Sequence, residues 1–204
     1  GLAFVWSIRL GSYIVGRTLG ADDDPRYAEM ARTWGASAPR KMGWLLQAQA
    51  LAALPLTFAV AIAAHRTGGI SVSDAIGAGV LAIAIAGEGI ADRQLAAFRA
   101  DSANAGRVCD RGLWAWSRHP NYFFQWLGWL AYPIIAIGLA GSYPIGWVAL
   151  IAPAAMYWYL VHVSGIPPLE AHMLRSRGDA FRAYQARTSA FFPCPPASEP
   201  RTAP

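Results

Sequence analysis

The amino-acid sequence predicts an all-α fold: a polytopic transmembrane helix bundle with a C-terminal interfacial helix. Three observations predict it. Hydrophobic residues make up 55% of the 204 and charged residues 14%, against about 25% charged in soluble domains. Several apolar runs reach the ~20 residues that a helix rising ~1.5 Å per residue needs to cross the hydrocarbon core. The basic residues between these runs alternate between many and few from one connection to the next.

The elements follow in order. Residues 2–19 read as the end of an earlier span, with Arg9 inside it. The chain starts at Gly1, without a Met and inside an apolar stretch. It shows no basic leader region and no small-residue cleavage site, so N-terminal helices of a longer protein are expected to precede it. Residues 42–64 form the first full span. Residues 73–98 form the next and carry Glu88, Asp92 and Arg93 near their far end. Residues 121–140 and 143–164 are a helical hairpin joined by Gly141-Ser142. That makes about five membrane segments, the first of them partial. Residues 168–187 are polar with a few apolar anchors and read as a helix or two along the interface. From Pro193 the chain is Pro-rich and polar. Residues 196–204 are therefore expected to be a disordered tail, leaving 1–195 as a single membrane-embedded domain.

The connections test this layout. Residues 17–41 hold five basic side chains, 65–72 hold one (Arg66), 99–118 hold four, 141–142 none and 165–204 five. The alternation agrees with every span. It gathers the basic segments on one face, which the positive-inside rule makes cytoplasmic. A net charge of +5 suits either nucleic acid or an anionic membrane. The membrane is the better partner and no nucleic acid is expected, because the basic residues lie between apolar runs rather than on one stripe. Nine Trp, eight Tyr and eight Phe fit interfacial anchoring. Cys109 and Cys194 lie far apart, without metal-ligand spacing, and read as free thiols. The chain has no glycine-rich dinucleotide fingerprint, P-loop or metal-ligand motif.

Three constellations carry possible chemistry. Glu88, Asp92, Leu95 and Arg99 fall at spacings of four, three and four, so they share a helix face. Acidic groups at membrane depth line a cavity or pair with a partner. The structural alternative is a salt bridge of Asp92 with Arg93 or Arg99. The loop from Arg99 to Tyr122 holds Arg107, Arg111, Arg118, His119, Trp114 and Trp116. Its guanidinium forks suit phosphate oxygens, and its rings suit a flat ligand. The alternative is a positively charged loop with an aromatic belt. At its end, Pro120 suits the first turn of a helix, where free N–H groups and the positive dipole end favour an anion. Arg118, His119, Asn121 and Tyr122 thereby form a polar pocket at a helix entrance. The C-terminal segment adds Glu170, His172, Arg175, Arg177, Arg182 and Tyr184, as ligand contacts or as head-group contacts.

With these residues in hand, the chain resembles the steroid 5-alpha-reductase C-terminal domain superfamily. The resemblance rests on Asp92-x-Gln-Leu-x-x-Phe-Arg99, Gly112-Leu-Trp and Arg118-His-Pro-Asn-Tyr122. It is nearest the bacterial branch long labelled as a domain of unknown function, DUF1295-like. Ser164-Gly-Ile-Pro-Pro-Leu-Glu170, the stretch Tyr184 to Pro193, and Arg26-Tyr27 after an acidic run also resemble that branch. The resemblance covers about residues 6–195.

The superfamily includes NADPH-dependent steroid and sterol reductases, and isoprenylcysteine carboxyl methyltransferases that use S-adenosylmethionine. It implies a multi-pass protein of the bacterial inner membrane with its cofactor on the cytoplasmic side. It also implies an NADPH-dependent reductase of a carbon–carbon double bond in a lipophilic enone, steroid-like or polyprenoid substrate. Asp92, Arg99, Arg107, Asn121 and Tyr122 would contact NADPH, with Arg118 and His119 beside them. Glu170, His172 and Arg182 would join them through an alignment that needs a shift. Tyr13, one residue off the family spacing, would hydrogen-bond the carbonyl oxygen, with Glu88 as the second catalytic candidate. Glu88 departs from the family, whose steroid reductases carry Asn there. Two alternatives are an S-adenosylmethionine-dependent methyltransferase of a lipid-like or isoprenylated substrate and a non-catalytic membrane binding protein.

Overall fold

A computed structural model describes residues 4, 7–9, 11, 12, 15, 16, 31–141 and 143–197. Among these the protein is all-α. Three helical stretches are long and apolar enough to cross a membrane: Ala31–Ala64, Val72–Ala100 and Pro144–Arg177.

The first stretch is mostly α1, Ala38–Ala64, which runs through Pro55 without a break. Membrane helices tolerate such a proline where nearby groups occupy the freed carbonyls. Pro55 leaves the Leu51 carbonyl without its helical donor, and one turn on the Thr57 hydroxyl donates to the Ala53 carbonyl at 3.1 Å. The second stretch is α2, Val72–Ala100, opened by a reciprocal cap between Ser71 and Asp74. Arg66 reaches the same Asp74 carboxylate.

One stripe of α2 is buried: Ser73, Gly77, Leu81, Ala84, Gly87, Ala91 and Phe98. It packs along α4, Pro120–Trp129, and α5, Ala131–Ile137. A Cβ on Gly77 would lie 2.5 Å from the Ile135 side chain, and one on Gly87 2.4 Å from the Phe124 ring. Small residues bring the helices this close, and close packing substitutes for the hydrophobic drive that lipid does not supply.

The span expected over 121–140 is two helices, α4 and α5, stepped at Leu130. Pro133 has no N–H with which to bond the Trp129 carbonyl. The Leu130 amide turns back to Leu127 at 3.1 Å, and the regular ladder resumes from Ile134 to Leu130 at 3.3 Å. Gly138, at φ +66°, ends α5. The return stretch changes pitch as it goes. It runs from a 3₁₀ segment, Pro144–Leu150, through α6, Ile151–Trp158, to a π turn, Tyr159–Val163. Ala59, Trp129, Tyr132, Ala136, Ala149 and Ala152 form the core that joins this stretch to α1, α4 and α5.

The interfacial segment is also two helices. α7, Ile166–Arg177, and α8, Asp179–Arg187, are separated by Gly178 at φ +51°. The chain after α8 then folds back onto residues 116–118, where Ser117 and Ser189 form a parallel bridge. Of the tail expected at 196–204, residues 198–204 lie outside the described residues. Ala197 is held, its amide donating to the Arg187 carbonyl at 2.9 Å.

Candidate functional site at the ends of α2 and α4

Two polar networks meet at the start of α4. Pro120 occupies its first turn and His119 caps it. The Asn121 side chain accepts from the Tyr122 amide at 3.0 Å and donates to Asp92 Oδ1 at 3.4 Å. Asp92 shares its α2 face with Glu88, one turn earlier, and both carboxylates face Arg9. Arg9 Nη1 lies 2.6 Å from Glu88 Oε2, and Nη2 lies 3.4 Å from Asp92 Oδ2. The three side chains are largely sheltered, with exposures of 22%, 12% and 20%. The salt bridge considered for Asp92 with Arg93 or Arg99 is therefore corrected: its cation is Arg9. Arg93 turns back to the Gly89 carbonyl at 3.0 Å. Arg99 points outward and has no hydrogen-bond or ion-pair partner among the described residues. Among the described residues the cluster holds two carboxylates for one guanidinium, with Asn121 as a further, long donor to Asp92.

The loop from α2 to α4 is tied to α2 by three hydrogen bonds. Gln94 Oε1 accepts from the Leu113 amide at 2.9 Å. The chain passes so close there that a Cβ on Gly112, at φ +61°, would sit 2.6 Å from Gln94. Trp114 Nε1 donates to the Ala91 carbonyl at 3.0 Å from α3, the single turn Leu113–Trp116. Asn104 Nδ2 donates to the Phe98 carbonyl at 3.0 Å. The Tyr184 hydroxyl donates to the Trp114 carbonyl. Burial pushes the Tyr184 phenol well above its usual range, so it remains a neutral donor. Burial also pushes the Cys109 thiol up, which keeps it unreactive. Arg111 lies over the Phe98 ring at 5.1 Å. Arg107 is exposed, and its side chain has no partner among the described residues. Trp114 is buried, whereas Trp116 is 48% exposed. Arg99 and Arg107 thus keep their donor forks free, as phosphate oxygens require.

The second network is closed around Arg118 and Glu170. Arg118 grips Glu170 with two N–H groups, Nε to Oε1 at 2.7 Å and Nη2 to Oε2 at 3.2 Å. Its Nη1 donates to the Gln185 and Thr188 carbonyls at 3.2 and 2.5 Å. Gln185 Nε2 donates to Glu170 Oε2 at 2.7 Å, and His119 Nε2 lies 3.0 Å from Oε1. Ser117 donates to the Phe191 carbonyl at 2.9 Å, and the Arg118 amide to the Ser189 carbonyl at 2.8 Å. Tyr122 stacks on His119 with centroids 5.4 Å apart.

Of the residues singled out in the sequence, Glu88, Asp92 and Asn121 come together around Arg9. Arg118, His119, Tyr122 and Glu170 come together beside them. His172 and Arg182 do not join either group. His172 is two residues from Glu170, which on a helix turns it to the other side and into the open. Arg182 is exposed and pairs with Asp179 at 2.7 Å. Tyr13 lies outside the described residues. The role of Arg9 was missed, although a charge inside an apolar run is itself a demand for a partner. Gln185, Thr188 and Ser117 carry no local signal, because their partners lie 15 to 74 residues away. A cavity of about 330 Å³ opens at the far end of α2, between Arg66, Ser71, Ser73, Gly138 and Tyr143. None of the candidate site residues lines it.

A family model described as a protein of unknown function (DUF1295) matches residues 1–188. No curated protein and no solved structure matches the chain.

Proposed function

The chain belongs to the DUF1295 family, and from that premise we propose that it is an NADPH-dependent membrane reductase of a carbon–carbon double bond in a lipophilic, enone-like substrate. The observation that carries the reading is the contact of Asp92 with Asn121 across α2 and α4, with the unpaired Arg99 and Arg107 beyond it. In this reading the cytoplasmic end of the bundle holds the cofactor, in a multi-pass protein of the bacterial inner membrane.

The residues fit such a group. Arg99 and Arg107 bind its phosphates through free guanidinium forks. Asn121 and Asp92 offer a donor and an acceptor to its polar ring substituents, and Trp116 offers an open aromatic face. When bound, NADPH supplies a hydride for the β-carbon of the double bond. The chain's own part is to balance the charge that this leaves on the substrate oxygen. Glu88, ion-paired with Arg9 beside Asp92, is the second catalytic candidate of the described residues. Tyr13 is the candidate donor to the carbonyl oxygen. The apolar helix faces let a lipophilic substrate approach laterally, from lipid.

Titration of the purified full-length protein with NADPH, and separately with S-adenosylmethionine, tests the reading. Saturable NADPH binding is expected. Binding of S-adenosylmethionine alone would overturn it in favour of methyl transfer, and binding of neither would favour a non-catalytic role.

A further inference from the structure

Glu170 is ionised against Arg118, and an ionised carboxylate accepts about four hydrogen bonds. All four positions are taken: Arg118 Nε and His119 Nε2 at Oε1, Arg118 Nη2 and Gln185 Nε2 at Oε2. No acceptor is left with which Glu170 could touch a cofactor. What Glu170 does is orient its neighbours. It can only accept, so the hydrogen it shares with His119 belongs to Nε2. Arg118 already balances its charge, so a neutral imidazole leaves this buried group at net zero, the favourable state away from water. A neutral ring with its hydrogen on Nε2 has a bare lone pair on Nδ1. His119 is 3% exposed, and Nδ1 has no hydrogen-bond partner among the described residues. Leaving such an atom without a donor forfeits the hydrogen bond it would make with water. The atom belongs to the same turn as Asn121, which reaches Asp92.

We propose that Glu170 is a positioning residue: through its bond to Nε2 it fixes the His119 tautomer and presents Nδ1 as the acceptor for a hydroxyl or amide hydrogen of the bound cofactor. The inference rests on the NADPH reading for the identity of that donor, and on the protein's own geometry for the tautomer. It moves Glu170 from the contacts of the cofactor to the support behind them. It also assigns a direction to one hydrogen bond of the site: the ligand donates and the protein accepts.

Nitrogen NMR of the full-length protein, labelled with [15N]histidine and held in detergent micelles, tests it. The H119Q variant identifies the His119 signals by their loss. Without cofactor, a pyrrole-type Nε2 and a pyridine-type Nδ1 are expected. Added NADPH should move the Nδ1 signal towards its hydrogen-bonded position. E170Q should mix the two tautomers and weaken NADPH binding about tenfold, as loss of an orienting partner does elsewhere. D92N should leave the tautomer as it is. If E170Q does not fold, E170D keeps the charge and withdraws the carboxylate, and should mix the tautomers too. An imidazolium or an Nδ1–H tautomer in the wild type would overturn the proposal, as would an E170Q spectrum unchanged at His119. An Nδ1 signal that stays put while nicotinamide fluorescence reports bound NADPH would overturn the acceptor role. Absence of NADPH binding would instead sink the reductase reading, and the cofactor-free tautomer would still decide the role of Glu170.

Discussion

The Arg9 cluster and the Arg118 cluster are built from the same kinds of group but in opposite states of completion. Arg118 has four of its five N–H groups engaged and Glu170 all of its acceptor positions. Around Arg9, among the described residues, two carboxylates share one guanidinium, and the contacts of Asp92 with Arg9 and Asn121 are both long, at 3.4 Å. A polar group buried in full satisfaction makes architecture, whereas one buried with capacity to spare is a place for something else to bind. The difference separates support from site among residues that look equally functional in the sequence.

The comparison can be broken most forcefully at Arg118. R118A leaves the Glu170 carboxylate sheltered and uncompensated, which costs about 3–5 kcal/mol. A large fall in the unfolding temperature of the detergent-solubilised protein is expected, and an unchanged one would make the closed network ornamental. D92N should do the reverse. Arg9 keeps Glu88, so the unfolding temperature should hold. NADPH binding should weaken about tenfold, or ~1.4 kcal/mol. A D92N protein that unfolds early yet binds normally would exchange the roles of the two networks. R99A removes a free guanidinium at no structural expense, so thermal unfolding should be unaffected. Its several-fold loss of NADPH affinity should shrink as salt is added, because exposed charges are screened over ~10 Å at 0.1 M. R182A should be the smallest change. Its pair with Asp179 is exposed, and such pairs contribute little. Measurable loss of cofactor binding in R182A would return α8 to the site.

Much of the fold was legible in the sequence. Spans read as 42–64 and 73–98 are found as Ala38–Ala64 and Val72–Ala100, because long apolar runs leave few alternatives. The step at Leu130 went unread, since Pro133 was absorbed into an apolar run that seemed to cross in one piece. Which face of α2 meets α4 could not be read either. Lipid-facing and helix-facing apolar surfaces look alike until Gly77 and Gly87 are seen against Ile135 and Phe124. In the site, the turn from Arg118 to Tyr122 was legible because Pro120 fixes its local geometry. The ionic partners were not. Arg9 with Glu88, and Arg118 with Glu170, join residues 79 and 52 positions apart, and periodicity carries no information over such distances.

The fold-back of residues 188–194 onto residues 116–118 has a consequence for the order of assembly. Translation delivers Arg118 long before Glu170, Gln185, Thr188 and Ser189. Through that interval its guanidinium has no carboxylate, and the Ser117 hydroxyl has no Phe191 carbonyl to meet. The helix pair α4 and α5 can dock on α2 while synthesis continues, but the Arg118 network stays unfinished until residues 188–191 have left the ribosome. A chain released before Glu170 would therefore carry the α2–α4 packing with Arg118 still without its carboxylate.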